Sequence, residues 1–238
     1  MAGTARPLIR AFAIRGLVIF KVVTLIKRRP DLLVENFQAY WADHHGPLLK
    51  QAPGICRYVQ SHALPQGYRK GELLFDGISE LWFDDESAYA ACLESSAFKA
   101  ADRDLDVFVD RARLVEMPVD LYVIKDGAIP RNAVKNIEFV NRRPGMALAP
   151  FRAYWRNMHG PMASKITVIH RYEQNHLKLS AYDNGNPPYD GVAITWFAST
   201  ADMKLGTTTR EYQLTRADEP NFLPDGHLPI IIVRERVI

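Results

Sequence analysis

Apolar positions along this chain follow two alternating rhythms. Residues 16–27, GLVIFKVVTLIK, are β-branched and apolar, which predicts a strand ended by RRPD. Across 31–52 the apolar residues Leu33, Phe37, Tyr40, Trp41, Leu48 and Leu49 fall at helical spacing. Residues 55–64 (ICRYVQSHAL, entered through Pro53-Gly54) and 73–83 (LLFDGISELWF) read as strands. Asp84 or Asp85 then caps a helix running to about Lys99, and VDLYVIK at 119–125 closes the set as a strand. The order is β-α-β-β-α-β, the ferredoxin-like arrangement of an antiparallel sheet with both helices on one face.

The same rhythm returns 114 residues later. At that offset Arg28-Arg29-Pro30 falls on Arg142-Arg143-Pro144, FQAYWADHHGPL (37–48) on FRAYWRNMHGPM (151–162), RYVQSH on RYEQNH, and FDGISELWF on YDGVAITWF. Between Arg28 and Phe83 no gap is needed, and 21 of the 56 aligned pairs are identical. The chain is therefore an internal duplication. Its expected divisions are a leader at 1–16, a first repeat at 17–126, a linker at 127–132 and a second repeat at 133–238. The second helix of the second repeat is the weakest element, because Gly206 and three threonines form helix poorly. A sheet covered by helices on one face must bury the other. Two such sheets do so against each other. The expected fold is α+β: an eight-stranded barrel closed within one chain, helices outside, with room for a small molecule where side chains leave the interior unfilled.

Composition narrows the classes. A net charge of +3, with basic residues scattered, provides no stripe for nucleic acid. The run GLVIFKVVTLI is interrupted by Lys21 and too short to span a bilayer, so no membrane partner is expected. Cys56 and Cys92 belong to no CxxC pair. Cofactor signatures such as GxGxxG after a strand, GxxxxGK[ST] and GxSxG are missing, and the histidines lack tight metal spacing. The expectation is a cytoplasmic protein without cofactor or metal, either a monomer or a homodimer through its outer surfaces.

Candidate chemistry lies on the paired strands. Alternation puts Tyr58, Gln60 and His62 on one face, and Tyr172, Gln174 and His176 on its counterpart. A helix-packing face should be apolar, so this polar row is expected to line the barrel cavity; the alternative is a structural network in which the groups satisfy one another. His45 and His159 sit where Gly-Pro should end or kink a helix, there to reach a cavity rim or to cap carbonyls. His44, matched by Met158, is expected to be exposed, and Tyr40, Trp41, Tyr154 and Trp155 to be core. Glu80 lies mid-strand on the face of Trp82, and Ile194 replaces it beside Trp196. Facing inward, Glu80 would orient a histidine or act as a base; facing outward, it would pair with an arginine.

FQAYWADHHGPL, RYVQSH and DGISELWF resemble the signature blocks of the EthD family, within the dimeric α+β barrel superfamily, over about 18–125 and 133–238. The tandem arrangement implies that a barrel usually built from two chains is completed internally. Relatives in that superfamily include polyketide cyclases and dehydratases, lactone isomerases and cofactor-free monooxygenases. The resemblance implies a site for a small aromatic or phenolic compound. Joined to the histidines, it points to proton transfer by His62, His45, Tyr58, Glu80, His176 and His159, with Tyr172, Gln60, Gln174, Trp82 and Trp196 binding the substrate. The expected reaction is that of a lyase, dehydratase, cyclase or isomerase. The alternatives are a cofactor-free monooxygenase, a non-catalytic carrier or accessory protein, and a regulatory or assembly protein with a filled barrel.

Overall fold

A computed structural model describes residues 19–183 and 185–238; the expected leader lies outside them. The first repeat comprises β1 (Phe20–Ile26), α1 (Val34–Tyr40), α2 (Gly46–Leu49), β2 (Arg57–Ala63), β3 (Gly77–Phe83), α3 (Glu86–Glu94), α4 (Ser96–Phe108) and β4 (Val115–Lys125). The second comprises β5 (Val134–Val140), α5 (Leu148–Tyr154), α6 (Gly160–Ala163), β6 (Arg171–Leu177), β7 (Gly191–Phe197), α7 (Thr200–Gly206), α8 (Arg210–Asp218) and β8 (Ile230–Val237). Each forms a four-stranded antiparallel sheet, and the strands close into one barrel in the order β1-β3-β2-β8-β5-β7-β6-β4. The seams are β2 on β8 and β4 on β6, so the last strand of each repeat completes the other repeat's sheet. The barrel interior is packed with side chains from both repeats, mostly apolar and including Val23, Ile78, Met117, Ile137, Phe139 and Ile231, where room for a small molecule was expected. Separate apolar clusters lie under each set of outer helices.

Two local features differ from the expected pattern. Each second helix is split: Asp85 and Ser95 cap α3 and α4, and Ser199 and Thr209 cap α7 and α8, each side chain accepting a bond from a backbone N–H. Gly206 and its threonines mark such a break rather than the loss of the helix. Nor do the first helices end at Gly-Pro. They pass through one wide π-turn, Trp41–His45 and Trp155–His159, into α2 and α6. A proline inside a helix clashes with the carbonyl four residues back, and the wider turn relieves that crowding before Pro47 and Pro161.

The recurring dipeptide DG holds each helix to its sheet. Asp76 accepts bonds from the Arg28 backbone N–H (2.9 Å), the Arg28 guanidinium (2.6 Å) and Tyr68 Oη (2.6 Å). Asp190 likewise binds Arg142 and Tyr182. The glycine after it makes room for tryptophan. A Cβ on Gly77 would lie 2.4 Å from the Trp41 ring, and one on Gly191 2.9 Å from that of Trp155.

Candidate functional site

The π-turn determines what the sheet must carry beneath it. The Trp41 carbonyl accepts the Gly46 N–H and also Gln60 Nε2, at 2.8 Å. Trp155 does the same with Gly160 and Gln174 Nε2, again at 2.8 Å. The Tyr-Gln-His rows therefore face the helices and not the barrel interior. Strand parity is as expected, but the face is reversed. A buried carbonyl with a spare lone pair needs a donor, so this helix-packing face cannot be wholly apolar. A Cβ at Gly46 or Gly160 would come 2.9 Å from the glutamine nitrogen and force it to shift from the carbonyl.

This network fixes the protonation of the histidines. Gln60 Nε2 donates both hydrogens, to the Trp41 carbonyl and to Tyr58 Oη (2.8 Å). Gln60 Oε1 is left to accept, and it lies 3.0 Å from His62 Nε2. His62 Nε2 must then carry the proton, leaving Nδ1 with its lone pair open. Burial, assisted by Arg236, lowers the His62 pKa to about 4, so the ring is neutral near pH 7. Burial also pushes the Tyr58 phenol up to about 12, which makes it an anchor for Gln60 rather than a base. The imidazole lies against the Trp41 indole, centroids 4.4 Å apart.

His62 borders a groove of about 300 Å³ between α1 and β8, lined also by Gln38, Ala42, Asp43, Arg234 and Arg236. The matching place in the second repeat is closed. Arg156, in the position of Ala42, stacks 3.9 Å over Tyr122, in the position of Arg236, and Tyr122 packs edge-on to His176. His176 Nε2 meets Gln174 Oε1 at 3.0 Å, while its Nδ1 is buried without a partner. Burial lowers the His176 pKa to about 3.

The remaining candidates lie elsewhere. Glu80 points into the barrel, which excludes the outward, arginine-paired alternative, and it reaches no histidine. It bridges Lys21 (2.8 Å) and Lys135 (2.7 Å), one lysine from each repeat. Burial raises the proton affinity of its carboxyl, but the two ammonium groups outweigh this and hold its pKa well below the usual carboxylate range. Lys21 continues to Glu173 (3.4 Å), and Lys135 to Glu235 (2.9 Å). Trp82 and Trp196 lie beside this network, with Lys21 4.6 Å from the first ring and Lys135 4.9 Å from the second. They do not line the groove. The sequence did signal these lysines, since both interrupt apolar strands at the 114-residue offset.

His45 and His159 are buried and tie helices together. His45 Nδ1 lies 2.9 Å from Asp104, which also accepts from Tyr40 Oη (2.7 Å). His159 Nδ1 lies 3.0 Å from Asp218, which accepts from Tyr154 Oη (2.6 Å). Neither histidine borders the groove. Asp104 and Asp218 also stand 114 residues apart, which is the signal that could have paired them with the histidines. His44 is exposed against Tyr40, and Trp41 and Trp155 are buried core. Among the described residues, no group of three or more His, Cys, Asp or Glu side chains is placed to hold a metal ion. Nor is any helix among them long and apolar enough to cross a membrane.

With this geometry established, the family comparison is decisive: the EthD domain model matches twice, at residues 29–112 and 143–225. The chain belongs to the EthD family. No curated protein sequence matches it. Solved structures share its fold at low identity. An anthrone oxidase-like protein superposes with a TM-score of 0.58 at 7% identity, covering 92% of each chain. A candidate monooxygenase from Fusobacterium nucleatum gives 0.56 at 11%, covering 94% of each. Another, from Lactobacillus acidophilus, gives 0.54 at 9%, covering 92% of this EthD chain and 93% of that one.

Proposed function

We propose that this EthD protein is an enzyme of small-molecule metabolism, in which the neutral His62 imidazole accepts a proton from a phenolic or polyketide-like enolic substrate held in the groove. One observation carries the reading. Both hydrogens of Gln60 Nε2 are committed, so His62 presents a lone pair on Nδ1 at the edge of an open groove. The substrate hydroxyl donates to Nδ1. As the proton moves, the ring becomes imidazolium and the oxygen a phenolate or enolate, and the attraction between these two opposite charges in contact offsets the burial that otherwise holds His62 weakly basic. Gln60 and Tyr58 are positioning residues that hold the tautomer. Lyase or isomerase chemistry follows when the enolate expels a leaving group or is reprotonated at carbon.

The second reading is cofactor-free oxygenation, in which the same anion reduces dioxygen directly. The fold likeness to candidate monooxygenases and to an anthrone oxidase-like protein favours it. Both readings suit the cytoplasm, since Cys56 and Cys92 are free thiols. A barrel completed by one chain needs no partner subunit, so a monomer or a homodimer through outer surfaces fits either.

The test uses a panel of phenols and cyclic β-diketones, with product analysis and an oxygen electrode. The expected result is a loss of 10² or more in kcat/KM for His62→Gln and little change for His176→Gln. Equal turnover by wild type and His62→Gln refutes the reading. Oxygen uptake stoichiometric with product selects the second chemistry over the first.

A further inference from the structure

We infer that the groove takes a substrate bearing a carboxylate as well as its acidic hydroxyl, and that Arg234 is the group that selects it. The inference rests on the proposed role of His62 and names the substrate class for that site.

Arg234 on β8 is the direct cross-strand partner of His62 on β2, and Arg236 is the partner of Gln60. Directly opposed residues hold their side chains on one face, with Cβ atoms about 5 Å apart. Arg234 and His62 therefore border the same groove. The guanidinium charge is uncommitted: among the described residues, the Arg234 side chain makes no ion pair or hydrogen bond, and it is exposed. The other charges of the groove are engaged. Arg236 pairs with Asp43 at 3.1 Å. The Glu235 carboxylate turns inward, to Lys135 at 2.9 Å and Trp196 Nε1 at 3.3 Å. Residues 1–18 contain no aspartate or glutamate, so that segment has no side-chain carboxylate to offer Arg234.

The second repeat shows the arrangement when it is self-satisfied. There the partner of His176 is Asp120, which is neutralised by Arg152 at 2.6 Å and Lys178 at 3.0 Å. At the 114-residue offset Asp120 becomes Arg234, Arg152 becomes Gln38 and Lys178 becomes Leu64. Around His62 the sign of the central charge is thus reversed and both of its partners are gone. Gln38 is itself used, donating to the Ala63 carbonyl at 2.8 Å. What remains is a cation and a lone pair bordering one groove, complementary to a carboxylate and a hydroxyl on one small ring. A hydroxybenzoate has that chemistry; phenol and benzoate each supply half of it.

The test measures binding of 4-hydroxybenzoate, salicylate, phenol and benzoate to the full chain, by calorimetry and by histidine-selective NMR. At least one hydroxybenzoate should bind about tenfold tighter than phenol, as expected for one charge-assisted contact, and weaken as salt is added. Arg234→Gln should reduce that preference to within about twofold and leave phenol affinity unchanged. Arg236→Gln should reduce it less, because Asp43 already engages that side chain. His62→Gln should weaken phenol and hydroxybenzoate but not benzoate. If no hydroxybenzoate binds saturably, if both bind no tighter than phenol, or if Arg234→Gln keeps the preference, the inference is overturned. If the preference stands but His62→Gln changes nothing, the charge selection holds and the proton-acceptor reading fails.

Discussion

Replacing Glu80 by glutamine tests whether the barrel is held together electrostatically across its duplication. The carboxylate is 1% exposed and lies within 2.8 Å of two ammonium groups, on strands β1 and β5. Removing one partner from a buried ionic network costs about 3–5 kcal/mol, because the remaining charges stay desolvated. Here the loss should fall near the lower end, about 3 kcal/mol, since Lys21 retains Glu173 and Lys135 retains Glu235. With a urea slope of about 2–3 kcal/mol/M, that moves the unfolding midpoint down by about 1–1.5 M. Glu173→Gln should cost less, because its contact with Lys21 is longer at 3.4 Å and its other partner, Arg171, is partly exposed and keeps Asp126. The pH dependence has a definite sign. The Glu80 pKa is lowered on folding, so its stabilisation is present above about pH 4.5 and declines as pH falls below it. The gap between wild type and Glu80→Gln should therefore close in acid. Replacing Lys21 and Lys135 by methionine in the glutamine variant should recover part of the loss, since it removes the unpaired charges. A Glu80→Gln midpoint within about 0.3 M of wild type at pH 7 would refute the network's role.

Other consequences can be measured directly. His176 has a folded pKa of about 3 against an unfolded 6.5, so its stabilisation is complete above pH 6.5 and is lost as pH falls toward 3; His176→Gln should flatten the stability slope there by up to about 1.4 kcal/mol per pH unit. Gly46→Ala should displace Gln60 and destabilise the fold by about 1–3 kcal/mol, visible as a changed His62 tautomer in 15N NMR; an unchanged ring spectrum would refute the tautomer lock. Asp104→Asn and Asp218→Asn should each cost about 1–3 kcal/mol in urea melts without altering ligand affinity in the groove. The kcat/KM of a groove substrate should rise with pH through about 4 and be level from 5.5 to 7; an inflection near 6.5 would mean that His62 is not desolvated.

The duplication and the barrel were legible because a gapless offset preserves every turn and strand, and because two half-covered sheets have few ways to bury their faces. The site was legible only in part. Alternation assigns Tyr58, Gln60 and His62 to one face but does not say which, and apolarity is the usual arbiter. It misleads here for two reasons, one on each side of the sheet. The helix side is polar because a π-turn presents the Trp41 carbonyl, and periodicity gives no warning of a π-turn. The barrel interior is not purely apolar because Lys21 and Lys135 neutralise Glu80, and a strand pattern counts each lysine as an interruption.

Comparison of the two repeats separates scaffold from site. Positions that match across the offset serve geometry: Arg28 and Asp76 at the corner, Gly77 beneath the indole, Gln60 on the π-turn, His45 on Asp104. Duplicated scaffold must keep these in both halves, or one half of the sheet loses its helices. Several positions around His62 diverge together, and each change has a physical consequence. Ala42 in place of Arg156 opens the wall, Arg236 in place of Tyr122 exposes the histidine edge, and Arg234 in place of Asp120 reverses the charge. An exposed arginine costs the fold little when unpaired, so Arg234 places a free cation on the groove without loss of stability. One groove that is opened and left with an uncommitted cation, beside a histidine held in one tautomer, is the asymmetry a one-site enzyme needs from a two-fold scaffold.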